Sequence, residues 1–393
     1  MTSKTIAAGG HDGNDIVYPE ALPFLLVHLA CLAAIWTGVR AFDVAICLGL
    51  YVVRMIIVTG VYHRYFSHKS FKTSRPMQFV LAFLVQTAAQ RGVVWWAATH
   101  REHHRYSDTP QDVHSPRQHG FWFSHVGWIF SPKRDEADYS LVPDLTKYPE
   151  LMFLNSIWMR YTPAALLGLA MWLLLGWSGL VVGFFWSTVL LYHGSFSINS
   201  LAHVHGNQRY LTGDDSRNNF WLALLTMGEG WHNNHHHYQT STRQGFFWWE
   251  IDVTFYCLKV MSWFGLVWDL IEPPEHVVAN DRRLGRKMID KVAHQLAFSF
   301  PLERMGEQLR DAWQNAPSTE EIVLKLQTAR SQAGAALAEV QLPNVPTLDD
   351  IKDRAREMYA HSPSLDDIAK RAHQIMIETV SVRIWPELAT VTT

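Results

Sequence analysis

The chain of 393 residues carries 36 acidic and 34 basic side chains, a formal net charge of −2, and only 18% charged residues, against roughly 25% for an ordinary soluble chain. The near balance of charge excludes the basic excess of a nucleic-acid binder. The three cysteines, Cys31, Cys47 and Cys257, lack CxxC spacing and so exclude a disulfide framework and a thiolate zinc knuckle.

Two excesses remain, 17 Trp and 21 His, in a chain whose mean hydropathy of −0.05 is too low for one wholly in lipid. Segment 1–20 shows no secretory signal pattern and is expected to be cytoplasmic. The run 21–39 has no Lys, Arg, Asp or Glu and is long enough for one membrane span. A second span is expected at about 43–61, interrupted by Arg54. An arginine at mid-bilayer costs about 2.5–3.5 kcal/mol, so Arg54 is expected to snorkel at the interface while its helix runs on into water.

Segment 77–98 is apolar but contains Gln78, Gln86, Gln90 and Arg91. It is expected to lie at the interface or against the catalytic part, because a fifth span would put the histidine clusters on opposite sides of the membrane. The charge-free stretch 161–208, broken by Gly176-Trp177-Ser178-Gly179, reads as a helical hairpin with spans at about 162–177 and 179–198. Arg64, Lys69, Lys72 and Arg75 follow the second span, and Arg209 and Arg217 follow the fourth. Positive-inside bias then places both termini and the active site in the cytoplasm. The expected fold is an all-α membrane protein: four transmembrane helices under a cytoplasmic helical cap, together 21–275, that holds a histidine-rich dimetal site. A soluble helical tail, 276–393, follows. In it, Pro317-Ser318-Thr319-Glu320-Glu321 reads as a capping box. Pro346-Thr347-Leu348-Asp349-Asp350-Ile351 is echoed by Pro363-Ser364-Leu365-Asp366-Asp367-Ile368, suggesting two amphipathic surface helices with hydroxyl N-caps.

The histidines cluster. They form His63-Arg-Tyr-Phe-Ser-His68, His100-Arg-Glu-His103-His104 and His232-Asn-Asn-His235-His236, with His203 four residues after Asn199. Each triplet at i, i+3 and i+4 shares one helix face. His63 and His68 are five apart, about 140° around an α-helix, so either they serve different ions or the chain unwinds between them. Imidazole suits iron, zinc, copper and nickel, and eight or nine imidazoles fit two ions better than one. His28, His276, His294, His361 and His373 read instead as ordinary hydrogen-bonded residues. A zincin would need HExxH, and a soluble diiron carboxylate bundle would need two Glu-x-x-His pairs, whereas only Glu229-Gly-Trp-His232 occurs. Membrane di-haem proteins place axial histidines in mid-membrane, and metal carriers need polar midplane ligands. The carrier is the non-enzyme alternative, against which the uncharged hairpin argues.

These boxes resemble those of the membrane fatty acyl desaturases of the stearoyl-CoA Δ9 class. Gly120-Phe-Trp-Phe-Ser-His-Val-Gly-Trp128, Asn199-Ser-Leu-Ala-His203, Asp215-Ser-Arg-Asn218-Asn-Phe and Gly228-Glu-Gly-Trp-His-Asn-Asn-His-His236 add to the likeness, which covers about 18–273. The resemblance implies two iron ions bound by His63, His68, His100, His103, His104, His203, His232, His235 and His236, with Asn199 acting through a water. It implies O2-dependent removal of two hydrogens from adjacent methylenes of a long saturated acyl chain, Δ9 of an acyl-CoA above all. An acyl-lipid desaturase or fatty acyl hydroxylase on the same site is the enzymatic alternative. Gln90 and Trp96 align with positions at the bend of the family's acyl tunnel, with core packing as the other role for Trp96. Glu102, Asp108 and Glu229 are candidates to orient the imidazoles.

Two departures stand out. Trp96-Ala97-Ala98-Thr99 stands where the animal acyl-CoA enzymes carry an Arg-Asp pair, so the acyl carrier is left open between CoA, another thioester and a lipid. No His-Pro-Gly-Gly of a cytochrome b5-like domain occurs, so electrons are expected from a separate cytochrome b5, ferredoxin or rubredoxin with its reductase. Arg282-Arg283-Leu-Gly-Arg286-Lys287 can meet an acidic carrier or anionic lipid, or simply be a solvated helix start.

Overall fold

A computed structural model describes residues 21–131, 137–281, 283–314, 346–359 and 362–384. The chain divides into two compact units, Met1–Arg209 with Asp214–Val278, and Tyr210–Gly213 with Ala279–Thr393. Among the described residues the first unit is helical, apart from two isolated bridges and a short antiparallel ribbon of β1 (Lys72–Thr73) and β2 (Val267–Trp268).

Two helical stretches are long and apolar enough to cross a membrane, Ala41–Ser67 and Thr162–His203. The first is α2 (Ala41–Ile57) followed by a π-helical segment, Val58–Ser67. The second folds back on itself. Helix α5 (Thr162–Ser178) is broken at Gly176, whose φ of 73° suits glycine. The chain returns through a π-helical segment, Gly179–Trp186, into α6 (Ser187–Ser200). Gly168 on the outgoing arm abuts the Phe184 ring on the returning one, and Gly183 abuts Met171. The small residues let the arms approach closely. Helix α1 (Leu22–Cys31) ends at a break before Ala34–Thr37, and Leu22–Thr37 is shorter than a full span. The expected 21–39 helix is therefore interrupted at Leu32-Ala33.

Arg54 does not snorkel. Its side chain is buried among the helices, with Nη1 2.9 Å from Thr188 Oγ1 and 3.2 Å from the Thr87 carbonyl, and Nη2 on Ser187 Oγ. Hydroxyls and carbonyls from facing helices do the work that interfacial water was expected to do. Nor does α2 run into water, since nearly every side chain of Val58–Ser67 is buried.

Segment 77–98 is two helices with a break. Ser74 caps α3 (Arg75–Val85), and a 3-10 turn, Gln86–Ala88, leads to Ala89 and Arg91, both at positive φ, before α4 (Val93–Tyr106). Both helices share the hydrophobic core with α2 through Leu81, Val85, Val94 and Ala98. The glutamine amides donate there, Gln78 to Tyr65 Oη and Gln86 to the Leu154 carbonyl.

Some charges used to orient the chain have structural partners. Arg64 is 1% exposed, with Nη2 3.1 Å from Glu229 and Nη1 2.9 Å from Asp252. Lys69 pairs with Asp144 and Arg75 with Glu150.

In the second unit, α8 (Arg286–Ala297), α9 (Leu302–Gln314), α10 (Leu348–Met358) and α11 (Leu365–Ile384) enclose a core that includes Val292, Leu296, Ile351 and Ile368. The repeated segments thus supply core isoleucines and are not merely surface helices. Thr347 and Asp350 form a reciprocal capping box. In the second copy the Ser364 hydroxyl accepts the Leu284 N–H at 2.8 Å. Residues 317–321 and Arg282 lie outside the described residues, while Arg283, Arg286 and Lys287 are exposed at the start of α8.

Candidate metal centre and adjoining cleft

The π-helical segment resolves the spacing of His63 and His68. Its i→i+5 pattern includes the His68 N–H to the His63 carbonyl at 3.2 Å. The wider turn brings both rings to one side, 4.9 Å apart between centroids. The two residues belong to one cluster, so the expectation of different ions does not hold, and the helix widens where unwinding was the alternative.

Two groups of imidazoles converge, and within each the ligand atoms lie within 4.8 Å of one another. His63, His68, His100, His104 and His235 form one, and His103, His203, His232 and His236 the other. Each i, i+3, i+4 triplet is split. His100 and His104 go to the larger cluster and His103 to the smaller, whereas α7 (His232–His237) sends His232 and His236 to the smaller and His235 to the larger. At about 100° per residue, positions i and i+4 are separated by about 40° and i+3 falls on the other side of i, so one helix can serve two sites.

The Nε2 atoms face inward. His63 to His235, His68 to His100 and His100 to His104 each measure 2.9 Å, and His203 to His232 measures 3.0 Å. Two neutral imidazoles can share one proton, but five inward nitrogens cannot satisfy one another. His236 Nε2 is buried with no hydrogen-bond partner. This donor set suits borderline divalent metals. Burial, reinforced by neighbouring rings, holds His68, His100, His104, His232 and His235 well below the usual imidazole range. Burial also pushes His236 down to about 4, against the pull of Asp214. Neutral imidazole is the ligating form.

Carboxylates hold the outward nitrogens. Nδ1 of His103 meets Asp112 at 2.9 Å, that of His203 meets Asp108 at 2.9 Å, that of His236 meets Asp214 at 2.8 Å, and that of His63 meets Glu229. Burial raises the Asp108 and Asp112 carboxyls, but the charge and hydrogen bond of His203 and His103 outweigh it and leave both well below the carboxylate range. Asp108 and Glu229 thus stand where imidazole-orienting residues were expected, and Glu102 is half-buried on α4. Sequence spacing did not reveal Asp112 or Asp214. Nor did it reveal the asparagines that pin α7, whose Asn233 and Asn234 N–H groups both donate to Asn218 Oδ1. The Asn-Asn inside the third box was the available signal.

A cleft of roughly 950 Å³, counted to its open mouth, ends at His100 and Asn199. Gln90 lines it and donates to Ser195 Oγ at 3.0 Å. Trp96 also lines it, stacked on Tyr62 at 5.2 Å and on His100 at 4.9 Å. Packing and cleft-lining are therefore both roles of Trp96. The other walls are largely aromatic, with Phe24, Trp95, Trp128 and Phe196.

Residues 41–252 match the family model for fatty acid desaturases. The chain is 40% identical over 256 residues to an acyl-CoA 5-desaturase of Anemone leveillei, covering 63% of this chain and 78% of that one. It is 37% identical over 262 residues to an sn-1 stearoyl-lipid 9-desaturase of Synechocystis, covering 65% and 81%. It is also 38% identical over 251 residues to a chloroplastic palmitoyl-monogalactosyldiacylglycerol delta-7 desaturase of Arabidopsis thaliana, covering 63% and 66%.

Proposed function

Since the chain belongs to the fatty acid desaturase family and is an oxidoreductase, we propose that it carries out O2-dependent desaturation of a long saturated fatty acyl chain, at Δ9 of an acyl-CoA. An acyl-lipid substrate is the second reading, because one similar relative is a stearoyl-lipid 9-desaturase. The observation that carries the proposal is the abutment of an aromatic-lined cleft on the larger of two clusters of inward-facing imidazoles, with His100 belonging both to the cleft wall and to that cluster. Family membership favours an enzyme over a metal carrier.

His63, His68, His100, His104 and His235 would hold one iron ion. His103, His203, His232 and His236 would hold the other, with Asn199 reaching it through a water. When bound, the iron pair supplies the oxidising power toward C–H bonds that no protein side chain has. The protein's part is placement. Unactivated methylenes offer no acid or base handle, so the position of the chain in the cleft decides which carbons react. Gln90, fixed by Ser195, and Trp96, fixed between Tyr62 and His100, would set the bend of the acyl chain. The aromatic walls exclude water. Asp108, Asp112, Asp214 and Glu229 hold ring tautomers so that Nε2 points inward.

In this reading the interrupted stretch Leu22–Thr37, Ala41–Ser67 and the two arms of Thr162–His203 make four membrane passes, the first of them short, with both termini and the metal centre cytoplasmic. A separate redox protein supplies two electrons per turnover.

Expression in a desaturase-deficient host with a competent electron donor, followed by gas chromatography of its lipids, tests the proposal. A new cis-monounsaturated chain is expected. A hydroxylated product would move the assignment to the hydroxylase alternative, and no new product of either kind would overturn it.

A further inference from the structure

A second set of histidines lies away from the metal centre. His28 on α1, His193 on α6 and His125 in the short helix Phe121–His125 form a continuous chain. His28 Nδ1 is 2.7 Å from the Phe24 carbonyl, and its Nε2 is 3.1 Å from His193 Nε2. His193 Nδ1 is 3.0 Å from His125 Nε2, and His125 Nδ1 is 2.9 Å from Ser200 Oγ.

With one proton per ring, the Phe24 carbonyl fixes the direction of the contacts among the three rings. The Phe24 carbonyl accepts only, so His28 carries its proton on Nδ1 and accepts on Nε2. His193 then donates from Nε2 and accepts on Nδ1, and His125 donates from Nε2, which leaves its Nδ1 beside the Ser200 hydroxyl, whose one proton also faces the Phe196 carbonyl at 3.0 Å. The three rings are neutral and bonded in one direction.

Its two ends carry different walls of the cleft. His28 lies one turn beyond Phe24, whose ring is 4.3 Å from its own, and Pro23 and Phe24 line the cleft. His125 lies three residues before Trp128, which also lines the cleft and meets Phe196 edge-on at 6.0 Å. Ser124 adds a bond from its hydroxyl to the Asn199 carbonyl at 2.7 Å. Both walls thus meet at the His193 ring of α6, and the Trp128 side has further links to α6 through Ser124 and Ser200. We propose that His193 is a positioning residue for the acyl cleft, fixing the Phe24 wall through His28 and the Trp128 wall through His125. This rests on the proposed function only in naming the cleft's occupant an acyl chain.

The test compares His193→Phe, which keeps the bulk but cannot bond, with His193→Gln, whose amide retains one donor and one acceptor. A stearic acyl probe brominated at C9 and C10 is titrated into the purified full chain, reading quenching of its tryptophans. One neutral hydrogen bond is worth about 0.5–1.5 kcal/mol, or about 2- to 12-fold in affinity. With two links broken, His193→Phe is expected to bind the probe about tenfold or more weakly, and His193→Gln to recover much of that. In turnover, His193→Phe should raise KM and broaden the product's chain-length range, with kcat changed less than about threefold. His28→Phe, breaking one link, should fall between. Should His193→Phe fold poorly, His28→Phe against wild type gives the same reading. Wild-type affinity and product range in His193→Phe, or in its stand-in, would overturn the inference. A wild-type chain that binds the probe but forms no unsaturated product would instead count against the proposed function, leaving the binding comparison intact.

Discussion

The two imidazole clusters draw on the same two helices, yet they are held differently. In the smaller cluster three of four rings rest on a buried carboxylate, His103 on Asp112, His203 on Asp108 and His236 on Asp214. In the larger one, among the described residues, Glu229 on His63 is the only such carboxylate. His104 and His235, like His232 alone in the smaller cluster, have buried Nδ1 atoms without a hydrogen-bond partner. His68, His100 and His104 are also partly exposed, and His100 faces the cleft. Carboxylate partners fix tautomer and ring angle and raise ligand basicity. Under the proposed function, the smaller cluster would hold its metal tightly and the larger would hold a more accessible one beside the cleft.

The most severe way to break this comparison is to remove one ring from each side. His104→Ala and His232→Ala are both expected to abolish product formation. Metal analysis should separate them: His104→Ala is expected to keep about one ion per chain, and His232→Ala to keep less, because its carboxylate-backed site is the stronger one. Equal losses would erase the distinction. Next in size is Arg64→Met, which strands Glu229 and Asp252 in the interior without their cation. Removing one partner of a buried ion pair costs about 3–5 kcal/mol, so the denaturation midpoint should drop strongly. A drop no larger than that of a surface arginine variant would deny the pair this role.

Asp214→Asn should lower metal affinity or activity about 10- to 100-fold, read by metal competition on the purified chain. An effect under about twofold would mean the carboxylates do not set the difference between clusters. The smallest effect is that of pH on the metal-free protein. His236 titrates at 6.5 in an unfolded chain and near 4 when folded, mainly through burial. The unfolded state therefore binds more protons below pH 6.5. Stability from this ring is fully present above pH 6.5 and is lost as pH falls through about 4, as thermal melts should record. Bound metal should shift the loss to lower pH, because it competes with the proton.

Much of the centre was legible in the residues themselves. Spacing at i, i+3 and i+4 is a local property of the α-helix, so the triplets announced themselves, and so did the apolar runs and the turn at Gly176. Other features depend on contacts distant in sequence. Whether Arg54 reaches water or a neighbour depends on Ser187 and Thr188, more than a hundred residues away. The split of each triplet depends on how α4 and α7 face each other, which no single-helix periodicity contains. Asp112 and Asp214 sit in loops whose own sequence gives no reason to point them at a ring.

By itself, then, the sequence determined the ligand type, the helical presentation of the histidines and the apolar helices beneath them, because each follows from side-chain chemistry or from a repeat of a few residues. Tertiary structure alone decided which imidazoles share a cluster, which carboxylates hold them and which walls enclose the cleft. Those are meetings between distant segments, made when packing buries polar groups that must then find partners.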